Sequence, residues 1–420
     1  MFTRIQARHY RCLKVIDQRL APFCALVGPN ASGKSTFLDT IGFLSDLIRN
    51  RGDVLETVKM RSSSFEKLLW MGEGNSFELA VEAKIPETLI ARMMPEKQQF
   101  ASVRYEVEIG FDRDQNEVGL NHETLWLMVP GRPPAPRPAQ QQFPFAREDS
   151  GSILLKPGRG LQTTITKTPN GNDNYYAHGR KSFRPSFKVG RGRSALANNP
   201  ADTESFPVSA WFRELLETGV QTFMLNSQTI RQPSAPGQGR RFLTDGSNLP
   251  WVVAELRKDT KRFNAWLAHV RTALEDVKDI DTIERPEDKH RYLVIEYASG
   301  VKVPSWLVSD GTLRLLTLTI PAYIADLEGI FLIEEPENGI HPRAIETVLQ
   351  SVSSMYRSQV LMATHSPIAL NMLKPEDVLC FAKDKDGATD VVAGNEHPAL
   401  REWKSGAPEL GVLFATGILS

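Results

Sequence analysis

Short apolar runs that stop abruptly at glycine or at acidic residues set the pattern of this chain. Phe23 to Val27 (FCALV), Ile330 to Ile333 and Gln359 to Thr364 are near-continuous apolar stretches of strand length. Such runs predict parallel strands buried on both faces. Phe77 to Ile85, Val103 to Phe111 and Glu123 to Val129 instead alternate apolar with polar residues, which predicts an antiparallel accessory sheet. A three- and four-residue spacing takes over at Phe37, Leu38, Ile41, Leu44, Leu47 and Ile48, as one buried helix face requires. Residues 205–225 and 249–276 also read as helices, the second carrying Val252, Val253, Leu256, Phe263, Trp266, Leu267, Val270 and Leu274 on a stripe. No heptad pattern is sustained, so no long coiled-coil arm is expected.

Between Gly131 and about Ala201 the texture turns to proline, glycine, glutamine and asparagine, which predicts a long loop or partly disordered insertion. The fold class is therefore α/β, with a mixed or parallel core sheet, an antiparallel accessory sheet, a helical lobe and a loop-rich insertion. The expected units are residues 1–95, 96–204, 205–295 and 296–420, the first and last forming the two halves of one core domain. At 420 residues the chain exceeds what a single hydrophobic core organises.

Chemistry enters where the first buried run ends. Gly28, Pro29, Asn30, Ala31, Ser32, Gly33, Lys34, Ser35 and Thr36 read GPNASGKST between a strand and a helix. This is the G-x-x-x-x-G-K-[ST] pattern of a phosphate-binding loop, whose backbone N–H groups converge on phosphate oxygens at a helix start. Lys34 would reach the β- and γ-phosphates of ATP, and Ser35 would hold Mg²⁺. The strand that ends in Glu334 and Glu335 delivers two carboxylates to the same sheet edge. Glu334 suits the Mg²⁺ side, and Glu335 suits orienting or deprotonating an attacking water. His365 follows the next buried strand, within reach of a γ-phosphate. Upstream, Ser309 is a natural N-cap ahead of Asp310, Gly311 and Thr312, and its helix would present a positive end outward. An economical use of that end is a symmetric dimer in which 309–311 of one chain close over the nucleotide of the other.

Charge changes the picture only locally, because Lys plus Arg equals Asp plus Glu at 50 each. Any polyanion must meet a patch. Residues 131–195 hold twelve Lys or Arg against only Glu148, Asp149 and Asp173. There Arg180, Lys181, Arg184, Lys188, Arg191 and Arg193 interleave with Phe183 and Phe187, which admits a DNA or RNA contact or, equally, a solvated loop or protein-facing surface. Cys12, Cys24 and Cys380 are few, odd in number and in apolar settings, as in a reducing compartment. With no apolar leader and no membrane-length run, a cytoplasmic protein without a membrane anchor is expected.

The ordered set GPNASGKS, LVSDGTLRLL, FLIEEPENGIHP and MATHSP resembles the ABC-type ATPases of the SMC and RecF kind. Within these it is most similar to the single-chain AAA ATPases of prokaryotic defence and DNA-repair loci, related to the ATPase half of OLD nucleases and to Septu, PARIS and Rlo ATPase subunits. The resemblance covers about residues 1–95 and 205–420. It implies that Ser309 to Thr312 form the signature segment, Glu334 the Walker B acid, Glu335 the catalytic glutamate, Asn338 to His341 the D-loop region and His365 the switch histidine. Glu334 stands where transporters carry aspartate, and residues 60–85 offer no Q-loop glutamine. The tail Leu410 to Ile418 is similar to that of stand-alone ATPases, with no Toprim nuclease domain expected after it.

Two accounts of function follow from the resemblance. In one, the chain forms a homodimer on ATP, with higher oligomers allowed, and serves as sensor or regulatory subunit of an antiphage defence system whose separately encoded effector is a nuclease. In the other it is a RecF-like DNA-binding ATPase of repair or replication. A transporter ATPase is disfavoured by SDGT in the signature position and by the insertion, and no further carboxylate cluster supports a nuclease within the chain.

Overall fold

The computed structural model describes residues 1–130, 142–146, 148–149, 151–168, 170–179, 184–238, 241–401 and 409–419. A six-stranded sheet runs in the order Val220–Phe223, Ile330–Glu334, Gln359–Ala363, Phe23–Val27, Val378–Lys383 and Thr389–Ala393. All neighbours are parallel except the last pair. The apolar runs are continuous because both faces are covered. Cys24, Leu26, Leu332, Leu361 and Ala363 point into one core, while Ala25, Phe331, Ile333, Val360 and Met362 point into a second.

The first core is closed by the helix Lys34–Arg49, which buries Phe37, Ile41, Leu44 and Leu47. Its other side meets an eight-stranded antiparallel sheet, ordered Leu13–Arg19, Phe2–Tyr10, Ser76–Lys84, Ser102–Asp112, Glu117–Met128, Leu161–Lys167, Asp173–Tyr175 and Ser186–Phe187. Tyr10, Phe43 and Phe77 cluster there with ring centroids 4.9 to 6.0 Å apart. The buried Gln359 ties the two sheets together, exchanging hydrogen bonds with the backbone N–H and C=O of Phe2 at 2.8 Å. The second core packs the helices Asp310–Thr319 and Pro342–Ser353 against the parallel sheet, with Trp266 wholly buried and bonded to Thr319 Oγ1 at 3.0 Å.

Two expectations about elements need correction. Residues 205–225 are not one helix: Pro207–Glu214 is helical, Leu215–Gly219 forms a wider turn, and Val220–Phe223 joins the parallel sheet beside Ile330–Ile333. Val220 and Phe223 are the strand's buried residues, so they resemble a helix face in spacing while serving a sheet edge. Residues 249–276 form two helices, Leu249–Leu256 and Thr260–Arg271, because Asp259 caps the second by accepting from Arg262 N at 3.1 Å.

The insertion, within its described residues, is anchored rather than loose. Buried carboxylates replace the missing apolar periodicity. Glu78 accepts Ile153 N at 2.7 Å, Glu106 accepts Leu155 N at 3.0 Å, and Glu123 accepts Ala195 N and Leu196 N at 2.6 and 2.9 Å. Each carboxylate would be costly to bury alone; the held backbone N–H groups share the offset with Arg8 for Glu78, Arg104 for Glu106, and the Tyr105 and Ser194 hydroxyls for Glu123. Among the described residues no helix is long and apolar enough to cross a membrane.

Candidate functional site

The carboxyl ends of three adjacent parallel strands bring the predicted groups together. Glu334 pairs in register with Ala363, and Ala363 with Leu26, so the acid pair, the histidine and the phosphate loop emerge side by side. The strand leading to His365 lies between the other two, so the acids are one strand removed from the loop. Two glycines make the loop's path possible. A Cβ at Gly28 (φ 150°) would fall 2.1 Å from the carbonyl oxygen of Phe381, and one at Gly33 (φ 107°) 2.2 Å from Thr389 Oγ1. Thr389 also donates to Ser32 O at 2.9 Å, clamping the loop. Gly28→Ala is expected to lower the thermal midpoint and remove nucleotide binding together, because backbone cannot yield as a flexible side chain can. A melt unchanged from the parent would count against this clash.

Lys34 is buried and turns back on its own loop, donating to Gly28 O and Pro29 O at 2.8 Å each. Burial pulls its ammonium down to about 8 from 10.5, against the opposing pull of Glu335 and Glu334. The Ser35 hydroxyl donates to the Glu334 carboxylate. A hydroxyl beside a carboxylate is the hard oxygen pair that Mg²⁺ takes. Ser32 Oγ is buried with no hydrogen-bond partner among the described residues, as fits a loop built to meet phosphate. These residues fit a magnesium-bound triphosphate.

Glu335 adopts a left-handed backbone (φ 48°), fixed by its N–H to Ala363 O at 2.8 Å. Its carboxylate receives Asn338 Nδ2 and lies 3.8 Å from His365 Nε2. Burial, and then Lys34, lower the pKa of His365 against Glu335 and Glu337, which favours a neutral imidazole at physiological pH. Ser309 caps its helix as expected, accepting from Thr312 N at 3.2 Å. Ser309 and Asp310 are exposed, and among the described residues no hydrogen bond or ion pair joins 309–312 to 28–36 of the same chain.

Residues 23–92 and 95–371 match the model of the family described as "AAA domain, putative AbiEii toxin, Type IV TA system". The chain belongs to this AAA-domain family. Its members' ATP binding and hydrolysis are the activity that membership supports for this AAA domain. The chain is 49% identical over 399 residues to the "OLD nuclease" of Thermus scotoductus (strain ATCC 700910 / SA-01), a match covering 92% of the chain. The chain spans 63% of the length of that relative. Among solved structures, an SmcHead bound to the C-winged helix domain of ScpA is similar with a TM-score of 0.52 at 14% identity, covering 93% of this chain and 96% of that one. The Smc head domain with an extended coiled coil from Pyrococcus furiosus gives 0.48 at 12% identity, covering 93% and 95%. The AAA domain thus has the fold of an SMC head.

Glu337 was missed in sequence, and Asn338, expected only as the start of a D-loop region, has a more specific place. Asn338 donates to Glu335 and offers its carbonyl to Arg314 Nη1 at 3.2 Å, linking the acid to the Asp310–Thr319 helix. Glu337 accepts both Thr364 Oγ1 at 2.8 Å and His365 N at 2.7 Å, and so holds the histidine's backbone. For Glu337, nearness to the paired acids was the one available signal.

The basic cluster divides. Arg180, Lys181 and Phe183 lie outside the described residues. Arg191 is committed to Asp112 and Asn121 at 2.7 Å each and is largely buried, so it serves the fold rather than a surface. Arg184 lies 6.0 Å from the Tyr176 ring centroid, Lys188 is exposed, and Arg193 pairs with Asp53 at 3.4 Å while half-exposed. Phe187 stacks on Tyr175 at 5.0 Å.

Proposed function

We propose that this AAA domain binds ATP with Mg²⁺, closes into a homodimer around two nucleotides and reopens on hydrolysis, acting as sensor or regulatory subunit of an antiphage defence system with a separately encoded nuclease. One observation carries the shared-site part. The phosphate loop, Glu334, Glu335 and His365 converge on one strand edge, while the Ser309 helix start is exposed and, among the described residues, makes no hydrogen bond or ion pair to its own loop. In this reading Lys34 binds the β- and γ-phosphates, and Ser35 and Glu334 hold Mg²⁺, which screens phosphate charge. Glu335 takes the proton of the attacking water. Ser309 to Thr312 cover the γ-phosphate held by the second copy. Kinship with a protein named OLD nuclease supports a link between this ATPase and nucleic-acid cutting.

Mixing tests the sharing. Ser309→Tyr and Lys34→Ala should each be inactive alone, yet regain hydrolysis together, because one site of each mixed dimer is then complete. Gly311 is a poorer choice, since a Cβ there would meet Gly339 O of its own chain at 2.9 Å. Absence of recovery would sink the shared site.

Nucleic-acid contact by Arg184, Lys188 and Arg193 belongs to the same proposal. If each meets a phosphate, changing all three to Gln should shrink the slope of log affinity against log salt by about 0.9 per residue. An unchanged slope returns them to solvated surface.

A further inference from the structure

Asp310 is out of keeping with an anion-binding helix start. It stands in the first turn of Asp310–Thr319 with 54% of its side chain exposed, so a carboxylate occupies the end where a phosphate would be drawn. That carboxylate meets the guanidinium of Arg231, the last residue of the short helix Ser227–Arg231. Arg231 also donates Nη1 to Trp306 O at 3.2 Å, and its own carbonyl accepts the Ser305 hydroxyl at 2.9 Å. The guanidinium therefore braces both flanks of Ser309 while keeping 23% of its side chain open to solvent.

We propose that Arg231 is a catalytic arginine acting on the nucleotide of a second copy, held ready beside Ser309 by Asp310. This rests on the shared-site reading above. On closure the guanidinium keeps one edge on Asp310 and turns its remaining N–H groups to the γ-phosphate oxygens, a division of labour that its planar fork permits and an ammonium's does not. As water attacks the γ-phosphorus, the bond to the β–γ bridging oxygen breaks, its electron pair leaves with ADP, and the water's proton passes to Glu335. Arg231 makes and breaks no covalent bond; it offsets the charge on the transferring group. Without it, Asp310 would repel the anion that the helix start is meant to receive. A purely structural brace explains the contact poorly, since exposed ion pairs add little to stability.

The test is ATP turnover by the full chain, alone and in mixtures. Arg231→Ala should bind ATP as the parent does and lose about a thousandfold in kcat, the low end for an arginine acting in trans. Arg231→Lys should recover only part of this. Mixed one to one with Lys34→Ala, Arg231→Ala should regain about a quarter of the parental rate, because half the dimers pair unlike chains and each holds one complete site. Recovery needs a folded variant chain, so misfolding cannot imitate it; if Arg231→Ala does not fold, Arg231→Lys enters the same mixture with the same expectation. Parental turnover by Arg231→Ala overturns the proposal, as does weakened ATP binding before dimerisation. An inactive mixture beside a recovering Ser309→Tyr and Lys34→Ala mixture also overturns it and leaves the shared site standing. If neither mixture recovers, the shared site itself has failed.

Discussion

Glu335→Gln is expected to bind ATP normally, to turn it over at least about a hundredfold more slowly, and to accumulate as an ATP-loaded dimer. The amide is nearly the same size as the carboxylate and can still accept from Asn338 Nδ2, so the left-handed turn at φ 48° should survive. What is lost is the carboxylate's charge, and with it a basic oxygen for the proton of the attacking water. Because the strained backbone is fixed independently by Glu335 N to Ala363 O at 2.8 Å, the melt of the free protein should stay near that of the parent. Steady-state turnover and light scattering with and without ATP would measure both consequences. Hydrolysis at the parental rate would remove Glu335 from the mechanism and leave His365, 3.8 Å away, as the next candidate base.

The parts of this molecule that could be read in sequence are those whose physics is local. A strand buried on both faces must be apolar throughout, so Phe23–Val27, Ile330–Glu334 and Gln359–Ala363 announced themselves, and with them the loop, the acids and the histidine at their ends. The capping of Ser309 was equally legible, because an N-cap is a relation between residues three apart. Contacts set by long-range geometry were not. Gln359 reaches Phe2 across 357 positions, and Glu106 and Glu123 hold a proline- and glycine-rich segment whose own pattern is nearly silent. The same blindness made Arg191 look like part of a basic surface: its partner Asp112 is 79 residues away. Asn338 and Glu337 fell between these cases, adjacent to a readable motif but acting through contacts that only folding creates.

Lys34→Ala is expected to abolish ATP binding, and the cleanest readout is the loss of stabilisation by the nucleotide. A ligand at a hundred times its Kd stabilises the folded state by about 2.7 kcal/mol, so ATP should raise the parent's thermal midpoint and leave the variant's unmoved. Titration of the free protein reports on the same amine. Its folded pKa is about 8 and its ordinary value 10.5, so between these pH values the unfolded chain holds the proton and the folded chain does not. Stability therefore rises with pH across that window, and below it the burial penalty is constant. Lys34→Met keeps the aliphatic stem but has nothing to titrate. Hence the stability difference between Lys34→Met and the parent, both without nucleotide, should shift in the parent's favour from pH 8 to 10.5. Movement in the opposite direction would mean that Glu334 and Glu335, rather than desolvation, dominate the amine. Bound phosphates supply the missing counter-charge, so saturating ATP should flatten this dependence in the parent alone, which links the buried lysine's cost in the empty loop to its purpose in the filled one.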